Sequence, residues 1–338
     1  MNDRLRKPLA AQPVQKAPDA DDVTQPGLLA WLHERWPGLR TALGAIVLFG
    51  GLLFVARALR GQYADLAAAT VAIPGWVYPV ITLLATLTVL ITAALHAVVV
   101  AGMLSARVDP ARVRYAYAAS QLARYVPGKV FGVILETQML SPAIGLRQVV
   151  AATLIQTLLI YAWVGIASIS VFGALALGSA WPVALAPLGL AALWLAQCNR
   201  WLERLRERLT SRVDTAATPV VATDRSRRYA WKSISLLALQ WLPFFAIWLL
   251  LAAPTHGVAA AFWLGASYLL ASIGGALLVL IPSGLVVREA AFVWLGALYG
   301  LPVPSLMAWA VVVRLVLTLA DVLAVPLLWT ALRMRAHP

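Results

Sequence analysis

Long apolar runs separated by short polar segments are the main feature of this chain. A bilayer core of about 30 Å requires roughly 20 apolar residues per crossing helix, and several of these runs reach that length. The pattern therefore predicts an all-α fold, a polytopic helix bundle in a membrane. The clear spans are predicted at residues 41–58, 77–104, 149–177, 182–197, 233–253, 258–281 and 305–332.

The strongest interruption of the apolar pattern is the segment 280–291, which reads LIPSGLVVREAA. Pro282 lacks an amide hydrogen and Gly284 permits unusual backbone angles, so a helix is expected to break here. Arg288 and Glu289 follow directly. In a bilayer, interrupted backbone is tolerated only where protein buries it or where it lines a hydrated cavity, and ionisable residues at that depth are costly. The segment therefore predicts one wall of a polar site inside the membrane.

A second interruption lies earlier in the chain and has the same order of features. Arg124 precedes Pro127 and Gly128, Lys129 follows, and Glu136 comes within an apolar half-helix. Two broken segments at corresponding places in two halves indicate a transporter-type site. We therefore predict two broken or re-entrant segments and about eight crossings.

The last span carries Arg314 and Asp321, which are seven residues apart and so project from nearly the same helix face. A charge at mid-bilayer costs about 2.5–3.5 kcal/mol on insertion scales, so opposite charges are expected to pair. The predicted pairs are Arg314 with Glu289 or Asp321 with Arg288. Such pairs could bind a ligand or could simply lock helices together.

Charge sets the predicted orientation and the domain limits. Hydrophobic residues make up 62% of the chain and charged residues 12%, with a net charge of +13. Anionic lipid headgroups explain this basic charge better than nucleic acid does. Loop 198–232 is strongly basic and is therefore predicted to be cytoplasmic. We expect a largely disordered cytoplasmic tail with an interfacial helix at 1–40, a transmembrane domain at 41–332 and a basic cytoplasmic tail at 333–338.

Enzyme chemistry has few candidates in this sequence. Cys198 is the only cysteine, which excludes an intrachain disulfide and a cysteine metal cluster. No zinc spacing, nucleotide loop or nucleophile motif occurs. His96 stands alone in its span and is expected to be packed and hydrogen-bonded rather than to act as a ligand. We predict a non-enzyme without cofactor or metal. A polyprenyl-dependent glycosyltransferase stays open as an alternative, with Asp65 as the one acidic residue on the predicted outer side.

The two interrupted segments resemble the signatures of a known family. The run 282–290, PSGLVVREA, and the run 125–131, YVPGKVF, followed by Glu136, are similar to those of the lysylphosphatidylglycerol synthase transmembrane (flippase) family. Ser283 stands where that family usually has a second glycine, and the aminoacyl-transferase domain is absent. The resemblance covers residues 41–332 and implies lipid translocation, not lysyl transfer, in a prokaryotic plasma membrane.

The expected function is movement of an anionic or zwitterionic lipid between leaflets. Helix N-termini after the two breaks would offer free amides and partial positive charge to a phosphate. Lys129 and Arg288 would contact the phosphate, while Glu136 and Glu289 would hold these cations or bind an amine. The remaining predicted site residues, near a boundary or in the last span, are Arg124, Arg314 and Asp321. The expected partners are membrane lipids, with a homo-oligomer or a lipid-modifying enzyme as further partners. A scaffold that recruits cytoplasmic enzymes through loop 198–232 is the other alternative.

Overall fold

A computed structural model describes residues 73–103, 108–123, 130–178, 189, 223–277 and 287–336. Every element within these ranges is an α-helix. The helices are α1 (Val77–Met103), α2 (Pro110–Leu122), α3 (Val130–Leu140), α4 (Leu146–Leu177), α5 (Thr223–Leu239), α6 (Trp241–Leu277), α7 (Val287–Leu298) and α8 (Val303–Ala336). Helix α1 lies centrally, because α2, α4, α5, α6 and α8 all pack against it.

Four helical segments of the described chain are long and apolar enough to cross a membrane: Val77–Gly102, Leu146–Leu177, Arg228–Gly275 and Val303–Met334. Many large apolar side chains on these helices point outward, among them Leu83, Leu158 and Leu315. Outward-facing leucines suit a lipid environment, so length, composition and exposure together support a helical membrane protein. The predicted spans 41–58 and 182–197 lie outside the described residues, and the total of eight crossings stays a prediction.

Helix α6 is bent into a hairpin at Gly257, whose backbone has a φ of 84° and a ψ of 167°. The ring centroids of Phe245 and Phe262 are 5.2 Å apart, and those of Trp248 and Tyr268 are 5.4 Å apart. Along a straight helix these pairs would be separated by about 25–30 Å. The two arms are therefore antiparallel neighbours, which confirms the prediction of two apolar spans joined near His256.

Close packing of the two hairpin arms depends on Gly265. A Cβ atom at this position would lie 2.6 Å from Cε1 of Phe245 and 3.1 Å from Cδ1 of Trp248. Both neighbouring rings are buried, so neither can move aside without disturbing the core. Gly274 lies in the same arm, and a Cβ there would meet nothing within 4 Å.

We expect Gly265→Ala to lower the free energy of unfolding by about 1–3 kcal/mol, because the added methyl group overpacks the arm interface. Gly274→Ala is the matched control, and it should leave stability unchanged or raise it by up to about 1 kcal/mol through helix propensity. Denaturation in mixed micelles with SDS measures both changes. Equal effects of the two substitutions would contradict the hairpin packing.

Hydrogen bonds from Asp109 and Arg112 position the two shorter helices α2 and α3. Asp109 caps α2, because its side chain accepts a hydrogen bond of 3.0 Å from the amide of Ala111, and Pro110 occupies the first turn. Arg112 of α2 donates to the carbonyl oxygen of Met139 at the end of α3, at 2.7 and 3.0 Å. Helix α2 also packs against α8. Helix α2 thus lies beside both α3, which carries Glu136, and α8, which carries Arg314.

Candidate functional site

Three charged side chains meet where α7 approaches α8. Arg288 donates to Oε1 of Glu289 at 2.8 and 3.2 Å, and Nη1 of Arg314 donates to the same oxygen at 2.7 Å. This contact confirms the predicted pairing of Arg314 with Glu289. We call these three residues the arginine cluster. It contains two guanidinium groups and one carboxylate, so its formal charge is +1.

The arginine cluster is only partly buried. The side chains of Arg288, Glu289 and Arg314 retain 17%, 16% and 19% of their accessible surface. Each of the three groups therefore keeps part of its surface outside the packed core. Arginine presents several N–H donors in a planar fork, which matches the oxygen geometry of phosphate and carboxylate groups.

Neighbouring aromatic residues hold the arginine cluster in place. The guanidinium carbon of Arg288 lies 5.0 Å from the ring centroid of Tyr268 on α6, which is a cation–π contact. Phe292, one turn after Arg288, is completely buried against Trp248 and Tyr268. Helix α7 is thus anchored on the α6 hairpin by its apolar face, and its first turn directs Arg288 and Glu289 towards α8.

The other predicted site residues fall in different places. Asp321 is buried on α8, two turns after Arg314, and its pairing with Arg288 stays a prediction. Glu136 is buried on α3, and within the described chain it forms no hydrogen bond with the arginine cluster. Six predicted residues lie outside the described chain: Arg124, Pro127, Gly128, Lys129, Pro282 and Gly284.

Glu136 instead belongs to a buried group of polar side chains around His96. Oε1 of Glu136 lies 2.6 Å from Nε2 of His96, and their side chains are 2% and 0% exposed. The hydroxyl of Ser120 lies 3.3 Å from the other carboxylate oxygen. The ring of Tyr117 stacks on His96 with centroids 4.4 Å apart. We call His96, Glu136, Gln156, Tyr117 and Ser120 the histidine network.

Gln156 of α4 fixes the orientation of the imidazole ring. Its Nε2 donates to the carbonyl oxygen of Thr92 at 3.2 Å and to the hydroxyl of Tyr117 at 3.3 Å. Because a carbonyl oxygen only accepts, the Gln156 amide must face it with nitrogen, and Oε1 of Gln156 then points to Nδ1 of His96. Nδ1 therefore carries a proton and donates it to Gln156.

No profile of a known protein family matches this chain, and comparisons with curated proteins and with solved structures also found no match. The resemblance drawn from the two interrupted segments therefore stays an expectation.

The prediction that His96 is packed and hydrogen-bonded is confirmed, but its partners were not predicted. The one signal available was Gln156, a single amide within a long apolar span, since a polar group in that setting requires a partner. The contacts of His96 with Gln156 and with Glu136 span 60 and 40 residues of sequence. Neither separation follows from helix periodicity, which describes one helix at a time.

Proposed function

We propose that this protein is an integral membrane lipid translocase. It moves an anionic or zwitterionic phospholipid, or a polyprenyl-linked lipid, between the two leaflets. The observation that carries the proposal is the arginine cluster, in which two guanidinium groups and one carboxylate meet and stay partly exposed within a largely apolar helix bundle. The headgroup would pass along this cluster while the acyl chains stay in the bilayer.

The balance of charges supports an anionic ligand group. Glu289 engages both arginines through its Oε1, and a guanidinium group can donate up to five hydrogen bonds from a planar fork. A lipid phosphate can accept several of these bonds at once. Its binding would offset the excess positive charge, whose exposure to hydrocarbon is costly.

The same cluster would lower the barrier to lipid flipping. Spontaneous flipping is slow because a polar headgroup must leave water and enter hydrocarbon without compensating bonds. Two arginines and one carboxylate between α7 and α8 replace some of these lost water contacts. We assign this role to Arg288, Glu289 and Arg314, with Asp321 supporting them from α8.

Purified protein in liposomes tests the proposal through the rate at which labelled phospholipid moves between leaflets. We expect Arg288→Ala/Glu289→Ala to lower this rate by about tenfold or more, since each lost charge-assisted hydrogen bond is worth about 1.5–3 kcal/mol. Arg147→Ala is the control, because Arg147 is an exposed arginine at the start of α4. Equal rates in the wild type and the double variant would refute the assigned site.

A further inference from the structure

The histidine network contains an ionisable pair for which the proposed lipid site has no use. Within the described residues, His96 contacts Glu136, Gln156 and Tyr117, and both members of the pair are almost completely buried. Four helices supply this network: α1, α2, α3 and α4. A polar or charged group that is buried between helices is normally fully hydrogen-bonded. Gain or loss of a proton there changes which hydrogen bonds the group can form, and so changes how well the helices pack.

The geometry determines how many protons the pair holds. Nδ1 of His96 already carries a proton, because it faces the oxygen of Gln156. Nε2 lies 2.6 Å from Oε1 of Glu136. An unprotonated ring nitrogen and a carboxylate oxygen would face each other with lone pairs, so a separation this short requires one proton between them. The pair is then neutral overall, either as imidazolium and carboxylate or as imidazole and carboxylic acid.

We propose that His96 and Glu136 form a binding site for one exchangeable proton, and that this proton holds α3 against α1. Loss of the proton to water leaves one negative charge in an apolar, buried site. The charge is relieved when α3 moves away from α1 and exposes Glu136 to water. The inference concerns a proton and α3, so it does not depend on which molecule the arginine cluster binds.

Helix α3 packs on α2 and α4, and the contact between Glu136 and His96 is its polar link to α1. Phe131, Ile134 and Leu135 face outward, so this side of the short helix contacts no other part of the described protein strongly. The inward side contains Glu136 and the fully buried Leu140. Arg112 holds the C-terminal end of the helix through the carbonyl oxygen of Met139. Movement would therefore be largest away from this tethered end.

The two helices that pack on α3 carry further ionisable side chains, and no described bond joins them to His96 or Glu136; they are Arg112, Arg114 and Tyr115 on α2 and Arg147 and Tyr161 on α4. Tyr117 of α2 faces the imidazole ring, and α4 contributes the amide of Gln156, which does not titrate. The helices α5, α6 and α8 also pack on α1. Their charged or titratable side chains, none of which contacts His96 or Glu136 among the described residues, include Lys232, His256, Arg314 and Asp321.

Electron–electron distance measurements between two spin labels test the proposal. The labels are placed at Phe131→Cys, at the untethered end of α3, and at Ser235→Cys on α5, in a Cys198→Ser background that removes the native thiol. In the wild-type network we expect one short-distance population at acidic pH and a growing longer-distance population as pH rises. Glu136→Gln keeps a side chain that can hydrogen-bond to Nε2 but has no proton to lose, so the short distance should persist at all pH values.

Thr137→Ala is the matched control, because it changes the side chain next to Glu136 on α3, removes no ionisable group and should leave the pH dependence unchanged. A wild-type distance that does not change with pH, or a change that persists in Glu136→Gln, would overturn the proposal.

If Glu136→Gln fails to fold, the proposal can still be tested from the nitrogen-15 signals of His96 in the protein with an unmutated histidine network. The chain has four histidines, and His96→Gln assigns the ring signals of His96 in a nitrogen-15 spectrum. These signals should shift over the same pH range as the spin-label distance. A distance change without any shift of the His96 signals would also overturn the proposal.

Discussion

Glu136→Ala is expected to lower the free energy of unfolding by about 3–5 kcal/mol, the range observed when one partner of a buried ion pair is removed. The substitution leaves Nε2 of His96 without its 2.6 Å partner in a site that water does not reach. It also removes an acceptor that faces Ser120. The imidazole ring cannot turn away to find another partner, because Gln156 and Tyr117 hold its other side and its face.

The neighbouring residue Thr137 provides the control for this substitution. Its hydroxyl donates to the carbonyl oxygen of Val133 in the same helix, at 2.8 Å, and contacts no other helix through that bond. Thr137→Ala should therefore change stability by only about 0.5 kcal/mol. Both values can be measured by denaturation in mixed micelles. A loss for Glu136→Ala no larger than that for Thr137→Ala would show that the histidine network contributes little to stability.

Apolar run length predicted the long helices well. The prediction of a span at 77–104 corresponds to α1 at Val77–Met103, and the prediction at 305–332 corresponds to α8 at Val303–Ala336. A short turn containing His256 was also predicted between the spans 233–253 and 258–281, and the helical backbone is interrupted there at Gly257. These features are local, and local sequence is sufficient to specify them.

The contact between Arg314 and Glu289 could be predicted for a different reason. The cost of a charge in hydrocarbon is large enough that the few opposite charges in apolar spans are expected to find each other. The same argument gave Lys129 or an amine as the partner of Glu136, and Lys129 lies outside the described residues. The described partners of Glu136 are His96 and Ser120, and they depend on how α1, α2 and α3 pack. The charge of Glu136 alone therefore does not identify a histidine or a serine as its partner.

Removing the positive charges of the arginine cluster is expected to weaken the binding of an anionic lipid headgroup strongly. Replacing both arginines, as Arg288→Gln/Arg314→Gln, keeps hydrogen-bond donors beside Glu289 but removes two positive charges. We expect binding of an anionic lipid headgroup to weaken by about ten- to a hundredfold, because charge-assisted hydrogen bonds become neutral ones. Glu289→Gln should have the opposite effect, since it raises the formal charge of the cluster from +1 to +2.

Headgroup cross-linking tests whether Arg288, Glu289 and Arg314 hold a lipid headgroup within the helix bundle. Phosphatidylglycerol with a photoreactive headgroup is incorporated into nanodiscs with the protein, and labelled peptides are identified by mass spectrometry. We predict labelling of α7 and α8 that is competed by unlabelled phosphatidylglycerol, retained in Glu289→Gln and lost in Arg288→Gln/Arg314→Gln. Equal labelling of these helices in the double-glutamine variant, or labelling confined to lipid-facing positions such as Leu315, would contradict the account.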